Sequence, residues 1–483
     1  MITIRQMPDL PGNILKNLPS WMSSAILHMV VLMILALITC GANSEEVDLT
    51  VIASTNMDEL LEELPLDVPI EVPLDIPTEI TTFEAPMDIE PDVQFVEEPD
   101  GFLPGDPDLT PGLTELGNAD LTARIGDGGG EGGTGLIGRE KRYNRIKGTP
   151  EGKAVAMALK WLAAHQLPDG GWSFKHVVHP NCAGQCRNPG SLDESRIGAT
   201  GMALLPFLGA GQTHKTGAYK DTVRAGLYFL TRNMKISPKG GEMYEKGGRM
   251  YSHGIAAIVL TEAYGMTHDK GLHGPAQASI NFICYAQDPV GGGWRYEPRQ
   301  AGDTSVVGWQ MMALKSGHMA YLLVPPIVAK RASAYLDGVA YDSGARYGYT
   351  DGTKGSDATS AIGLLCRMYL GWQKDDPALQ RGVAWISAKG PSSNFYYNYY
   401  ASQVMRHWEG EDWEKWYDVM GDQLVNSQAQ AGHEKGSWWS KGSHGPDTGG
   451  RLYCTSMATM ILEVPYRHLP IFKGQAVEED FPE

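Results

Sequence analysis

The sequence predicts an all-α protein: an α/α toroid of about six outer and six inner helices, preceded by one transmembrane helix and a disordered stalk. Three observations predict it. An aromatic-Gln-Gly-Trp unit recurs along the C-terminal two thirds, with anchors at 161, 228, 282, 335, 385 and about 424, spaced 39 to 67 residues apart. Segments that are apolar on nearly every side alternate with these units. Residues 41–149, in contrast, have a composition that builds no core.

Residues 1–20 form a weakly basic N-terminal segment, and 21–40, WMSSAILHMVVLMILALITC, carry no formal charge apart from His28. About 20 apolar residues span the hydrocarbon core as a helix. A cleaved signal peptide is the alternative, and the length of the stretch favours an uncleaved anchor. Arg5 and Lys16 precede the span, whereas Glu45, Glu46 and Asp48 follow it. Basic flanks stay cytoplasmic, so the expected location is the inner membrane, single-pass, with the bulk of the chain extracytoplasmic or periplasmic.

Residues 41–149 read as the stalk. Pro65, Pro69, Pro73 and Pro77 recur every four residues and favour extended polyproline II over helix. From 41 to 123 there are 22 Asp and Glu and no Lys or Arg, so the chain self-repels and extends. GDGGGEGGTG at 126–135 is a flexible hinge. The stalk thus holds more negative charge than the whole chain's net −17, and the globular part is mildly basic. Neither a strong basic footprint nor a repelling field is present there, and no nucleic-acid partner is expected.

Residues 150–470 carry the repeats, and 471–483 are a tail. Trp161-Leu162, Gln166, Gly170 and Trp172 form one unit; Phe282-Ile283, Gln287, Gly291 to Gly293 and Trp294 form another. A last copy runs from Leu424 through Gln428 to Gly436 and Trp438, with decayed copies at Tyr228-Phe229, Tyr335-Leu336 and Trp385-Ile386. These units bear charges such as Lys160, Arg224 and Arg381 and suit an outer ring. Between them lie segments such as YSHGIAAIVLTEAYG and ATSAIGLLCRMYLG, whose lack of a polar face suits an inner ring. Closing the ring removes the need for capping repeats.

The aromatic-Leu-x3-Gln-x3-Gly-x-Trp pattern resembles the QW repeat of squalene and oxidosqualene cyclases and of protein prenyltransferase β-subunits. The resemblance covers residues 150–470 and also takes in bacterial membrane-anchored forms. It implies a toroid whose central cavity acts on or binds an isoprenoid or other lipid, with Gln and Trp in structural roles. The cyclase Asp-x-Asp-Asp-Thr-Ala motif finds only QAGDTSVV: Asp303-Thr304 matches its end, but the central acid falls on Gly302 and the first on Gln300. Neither the Asp-x-Cys of the prenyltransferase zinc site nor the Cys-Gly-Glu-Gln of thioester domains occurs. Two readings therefore stand beside the lipid one: a carbohydrate-active toroid (polysaccharide lyase or hydrolase), and a non-catalytic envelope scaffold.

Candidate chemistry falls into three groups. Asp303 and Asp357, each just before an inner helix, would either cap it or reach one mouth of the cavity as acid or base, with His253 as a further candidate. Tyr251, Trp309, Gln310, Tyr396, Tyr397, Tyr400 and Tyr453 recur near inner-helix starts and imply an aromatic wall for a ligand. His176, His179, Cys182 and Cys186 set four soft ligands within eleven residues. Zinc is the cofactor such a set suggests, and a Cys182–Cys186 disulfide competes with it on equal terms.

Overall fold

The computed structural model describes residues 135–442 and 445–472. The expected span and nearly all of the stalk lie outside the described residues, and no described helix is long and apolar enough to cross a membrane. The described part opens with a short helix, α1 (Arg139–Ile146). Twelve helices follow in strict alternation: α2 (Pro150–Ala164), α3 (Arg196–Gly209), α4 (Lys220–Asn233), α5 (Arg249–Thr267), α6 (Lys270–Ala286), α7 (Thr304–Met319), α8 (Pro326–Val339), α9 (Asp357–Tyr369), α10 (Pro377–Lys389), α11 (Phe395–Trp408), α12 (Gly410–Ser427) and α13 (Pro446–Arg467). From α3 onward each odd-numbered helix packs on the next odd one, and α13 packs back on α3. The ring closes with six inner and six outer helices. Two antiparallel hairpins decorate it, β1 (Lys235–Ser237) with β2 (Gly240–Glu242) and β3 (Ala340–Tyr341) with β4 (Arg346–Tyr347).

Side-chain pattern explains the two layers. In α3 every residue but Arg196 is buried, as an inner helix enclosed by neighbours requires. In α4 only Val223, Gly226, Leu227, Phe229 and Leu230 are buried, a single stripe at helical spacing. Several helix starts are set by short polar caps: Thr149, Asp269, Ser356, Asp376 and Asn394 each accept a backbone N–H of the first turn.

The three intact Gln-Trp units are built alike. The Gln166 amide donates to the Gly170 carbonyl (2.8 Å) in its own turn and to Thr222 (2.9 Å) in α4. Gln287 does the same with Gly292 (2.8 Å) and Val328 (2.9 Å) in α8, and Gln428 with Gly436 (2.9 Å) and Ala154 (2.8 Å) in α2. Each Gln ties one outer helix to the next, and the third pair spans the seam between the last repeat and the first. Trp172, Trp294 and Trp438 each donate an indole N–H to a carbonyl of the preceding helix at 2.8 Å. Gly292 shows why glycine stands in the turn: φ is +75°, and a Cβ would lie 2.2 Å from the Arg331 carbonyl oxygen.

Residues 135–149, counted with the stalk on composition, depart from that expectation. They form α1, and Arg139 is 2% exposed. Its guanidinium grips Glu262 of α5 at 2.7 and 3.2 Å. Arg467 of α13 bonds the same carboxylate at 3.0 Å and Glu463 at 3.3 Å. This cluster fills the C-terminal end of the inner ring. A charged octet looks solvated in the sequence because its partners lie more than a hundred residues away.

Candidate functional site

Parallel inner helices leave their N-terminal ends around one mouth, and there the ring is open. A cavity of about 500 Å³ is walled by Met202, Tyr251, Ile255, Trp309, Tyr396 and Tyr453, with Phe174, Leu192 and Tyr296 from the connecting loops. Glycines and the small polar residues Ser252 and Thr448 complete it. Among the described residues that line it none is acidic, and Arg249 at its rim is the one with a permanent charge. Arg249 lies 3.4 Å from Glu297 and over the Tyr296 ring.

Two carboxyls stand one layer behind this wall. Asp303, fully buried, caps α7 by accepting the Val306 N–H (3.0 Å). Its Oδ1 accepts from the Ser305 hydroxyl (2.5 Å), which in turn takes a hydrogen bond from Tyr251 (2.6 Å). Its Oδ2 accepts from Tyr349 (3.3 Å), whose hydroxyl is 2.5 Å from that of Tyr296. Both relays end on cavity-wall tyrosines. Burial pushes the Asp303 carboxyl above its ordinary range, opposed by the hydrogen bonds from Ser305, Val306 and Tyr349 and by Arg295. Burial likewise drives the Tyr251 phenol well up, so it stays protonated. The second carboxyl, Glu245, accepts from Ile197 N–H (3.0 Å), Gly198 N–H (2.8 Å) and Ser252 (2.5 Å), and burial raises it too.

The structure brings Asp303, Tyr251, Trp309, Tyr396 and Tyr453 to this mouth. Trp309 stacks on Tyr399 at 5.7 Å, and Tyr400 stands edge-on beneath both Trp309 and Tyr396. The other candidates point elsewhere. The His253 Nδ1 accepts the Met243 N–H and its Nε2 donates to the Ser279 carbonyl, both at 3.1 Å, so neither ring nitrogen is free for proton transfer. Asp357 sits half-exposed between Lys389 (2.8 Å) and Arg346 (3.9 Å), and Ser356 holds the cap. Gln310 is buried and donates to the Met250 carbonyl (2.9 Å). Tyr397 packs edge-on against Trp416 and Trp385. Sequence reasoning missed Tyr296, Ser305, Tyr349 and Glu245 as partners of one site, since each comes from a different loop or helix end. Gly302, where a cyclase carries its acid, is packed away from the cavity: a Cβ there would meet the Tyr335 ring at 2.7 Å.

The soft ligands gather differently from their spacing. His165, Cys182, Cys186 and His433 place one ligand atom each within 4.8 Å of one another. Cys186 Sγ lies 3.5 Å from His165 Nε2 and 3.1 Å from His433 Nδ1. His176 packs beside Trp161 and His165 instead, and His179 Nδ1 accepts the Asn181 N–H. Cys182 and Cys186 are free thiols. His165 and His433 escaped notice because 268 residues separate them.

No family model matches the chain, and no curated protein does. Among solved structures it is similar to an inactive variant of the alpha-1,6-mannanase of Salegentibacter sp. HEL1_6 in complex with alpha-1,6-mannotriose, at 9% identity and TM-score 0.46, over 65% of this chain and 99% of that one. It is also similar to a type II terpene cyclase from Scytonema in complex with geranylgeranyl dihydroxybenzoate, at 12% identity and TM-score 0.42, over 68% and 99%. A third is an alpha-amylase from Clostridium perfringens, at 11% identity and TM-score 0.42, over 65% and 97%.

Proposed function

We propose that the open mouth of the toroid binds an isoprenoid or other lipid-like chain. The observation that carries this reading is the character of the wall: aromatic and aliphatic side chains around about 500 Å³, with no acid among the described lining residues and one arginine at the rim. Such a volume suits a ligand of small-molecule size, and few polar groups suffice to orient it. Apolar chain would lie against Met202, Ile255, Trp309 and Tyr396, while a polar or anionic end would meet Arg249. The packing of Gly302 against Tyr335 supports binding over alkene protonation, because that step needs an acid aimed into the cavity. The same proposal keeps 21–40 as a membrane anchor and the acidic stalk as a spacer that lets the mouth reach a bilayer.

A glycan-hydrolysing toroid needs two carboxyls facing each other across the substrate. Asp303 and Glu245 are the pair that favours this second reading, but each stands behind a tyrosine or serine of the wall.

The test is native mass spectrometry of the full chain purified from membranes, followed by titration with a fluorescent prenyl alcohol. A co-purifying lipid-sized mass, and saturable binding weakened at least about tenfold by Ile255→Trp, are expected, since the indole fills the cavity. An empty protein that binds no prenyl chain overturns the lipid reading, and cleavage of a polysaccharide by the same preparation installs the second.

A further inference from the structure

We propose that His165, Cys182, Cys186 and His433 form a structural zinc site that locks the seam of the toroid. Zinc binds Cys and His in closed four-coordinate tetrahedra, with Zn–S about 2.3 Å and Zn–N about 2.0 Å, which sets neighbouring ligand atoms about 3.3–3.8 Å apart. The Cys186–His165 distance of 3.5 Å lies in that range, the Cys186–His433 distance of 3.1 Å falls just short of it, and all four ligand atoms lie within 4.8 Å of one another. The set is two thiolates and two neutral imidazoles. With Zn²⁺ it carries no net charge once the two thiol protons have left to solvent, so it can be buried without a counter-ion. His165, Cys182 and Cys186 are all at most 3% exposed, as a closed structural site requires.

The ligands are held ready. The His165 Nδ1 lies 2.7 Å from the Trp161 carbonyl, so that nitrogen carries the proton and Nε2 presents its lone pair to the cluster. A metal-binding imidazole is oriented in this way by a bond from its other nitrogen. His433 is placed by its neighbour Glu434, whose carboxylate accepts from the Arg187 N–H (2.8 Å) and bonds Arg451 (3.0 Å). Cys182 and Cys186 sit on the loop that this same Arg187 continues.

The location gives the site its role. His165 caps the first outer helix, the two cysteines lie in the loop that leads to the first inner helix, and His433 follows the last outer helix. One ion would join the first repeat to the sixth where the ring closes, beside the bond from Gln428 to Ala154.

Elemental analysis and cobalt(II) titration of the full chain, purified without chelator under reducing conditions, test this. About one zinc per chain is expected, together with the intense visible bands of tetrahedral thiolate–imidazole cobalt after exchange. Zinc should be lost in Cys186→Ser and His433→Ala and kept in His179→Ala. X-ray absorption on the unmutated protein should read two sulfur and two nitrogen neighbours, whatever the folding of the variants. Chelation should lower the thermal midpoint by about 5 °C. Metal-free protein that takes up no cobalt, or zinc that survives His433→Ala but not His179→Ala, would each overturn the assignment.

Discussion

Asp303 performs two jobs with one carboxyl: it starts α7, and it anchors the hydroxyl relays to Tyr251 and Tyr296. Asparagine keeps a cap oxygen, so Asp303→Asn should cost less than about 1 kcal/mol, whereas Asp303→Ala should cost about 2 kcal/mol or more, through the lost cap and the stranded Ser305 and Tyr349 hydroxyls. Urea unfolding of the two variants measures the difference. The sign of its pH effect follows from the raised carboxyl. The folded state holds the proton more tightly than the unfolded one, so this residue's contribution is full below the unfolded value of about 3.9 and is lost as pH rises through the folded value. Asp303→Asn should flatten that slope.

At the scale of the element, the Gln-Trp turn is the unit that repeats. Gln287 is 2% exposed and satisfies two carbonyls at once. Gln287→Leu removes both bonds, at a cost of about 1–3 kcal/mol. Gly292→Ala should cost at least as much, because it meets both a left-handed backbone and the Arg331 carbonyl. A calorimetric midpoint left unchanged in both variants would contradict this account of the turn. These turns were legible in the sequence because all their parts lie within 15 residues, from Trp161 to Trp172, Phe282 to Trp294 and Leu424 to Trp438. The repeats at Tyr228, Tyr335 and Trp385 lack the Gln, yet their outer helices form all the same, since the buried stripe rather than the motif drives them.

For the whole molecule, closure depends on charges brought from both ends of the described chain. Burial alone would raise the Glu262 carboxyl, but Arg139 and Arg467 outweigh it and hold it at about 2. That stability is present above the unfolded value of about 4.3 and is lost as pH falls from there toward about 2. Stability of the intact protein should therefore drop steeply in that acid window, and the drop should shrink in Glu262→Gln. Removing one partner, as in Arg139→Met, should cost about 3–5 kcal/mol, because a buried carboxylate loses its main counter-charge. Chemical denaturation across pH 2–6 would read both effects.

Local pattern alone determined the alternation of outer and inner helices, the Gln-Trp turns and the aromatic character of one helix end, since each depends on residues a turn or a loop apart. It also brought Asp303 and Tyr251 to notice, but not the serine between them. Only the tertiary structure decided that α1 belongs to the packed ring, that His253 and Asp357 lie away from the open mouth, and that His165 and His433 gather with the cysteines in place of His176 and His179. Ring closure is the physical reason. It sets side by side residues from the first and last repeats, and no spacing along the chain encodes which of them will meet.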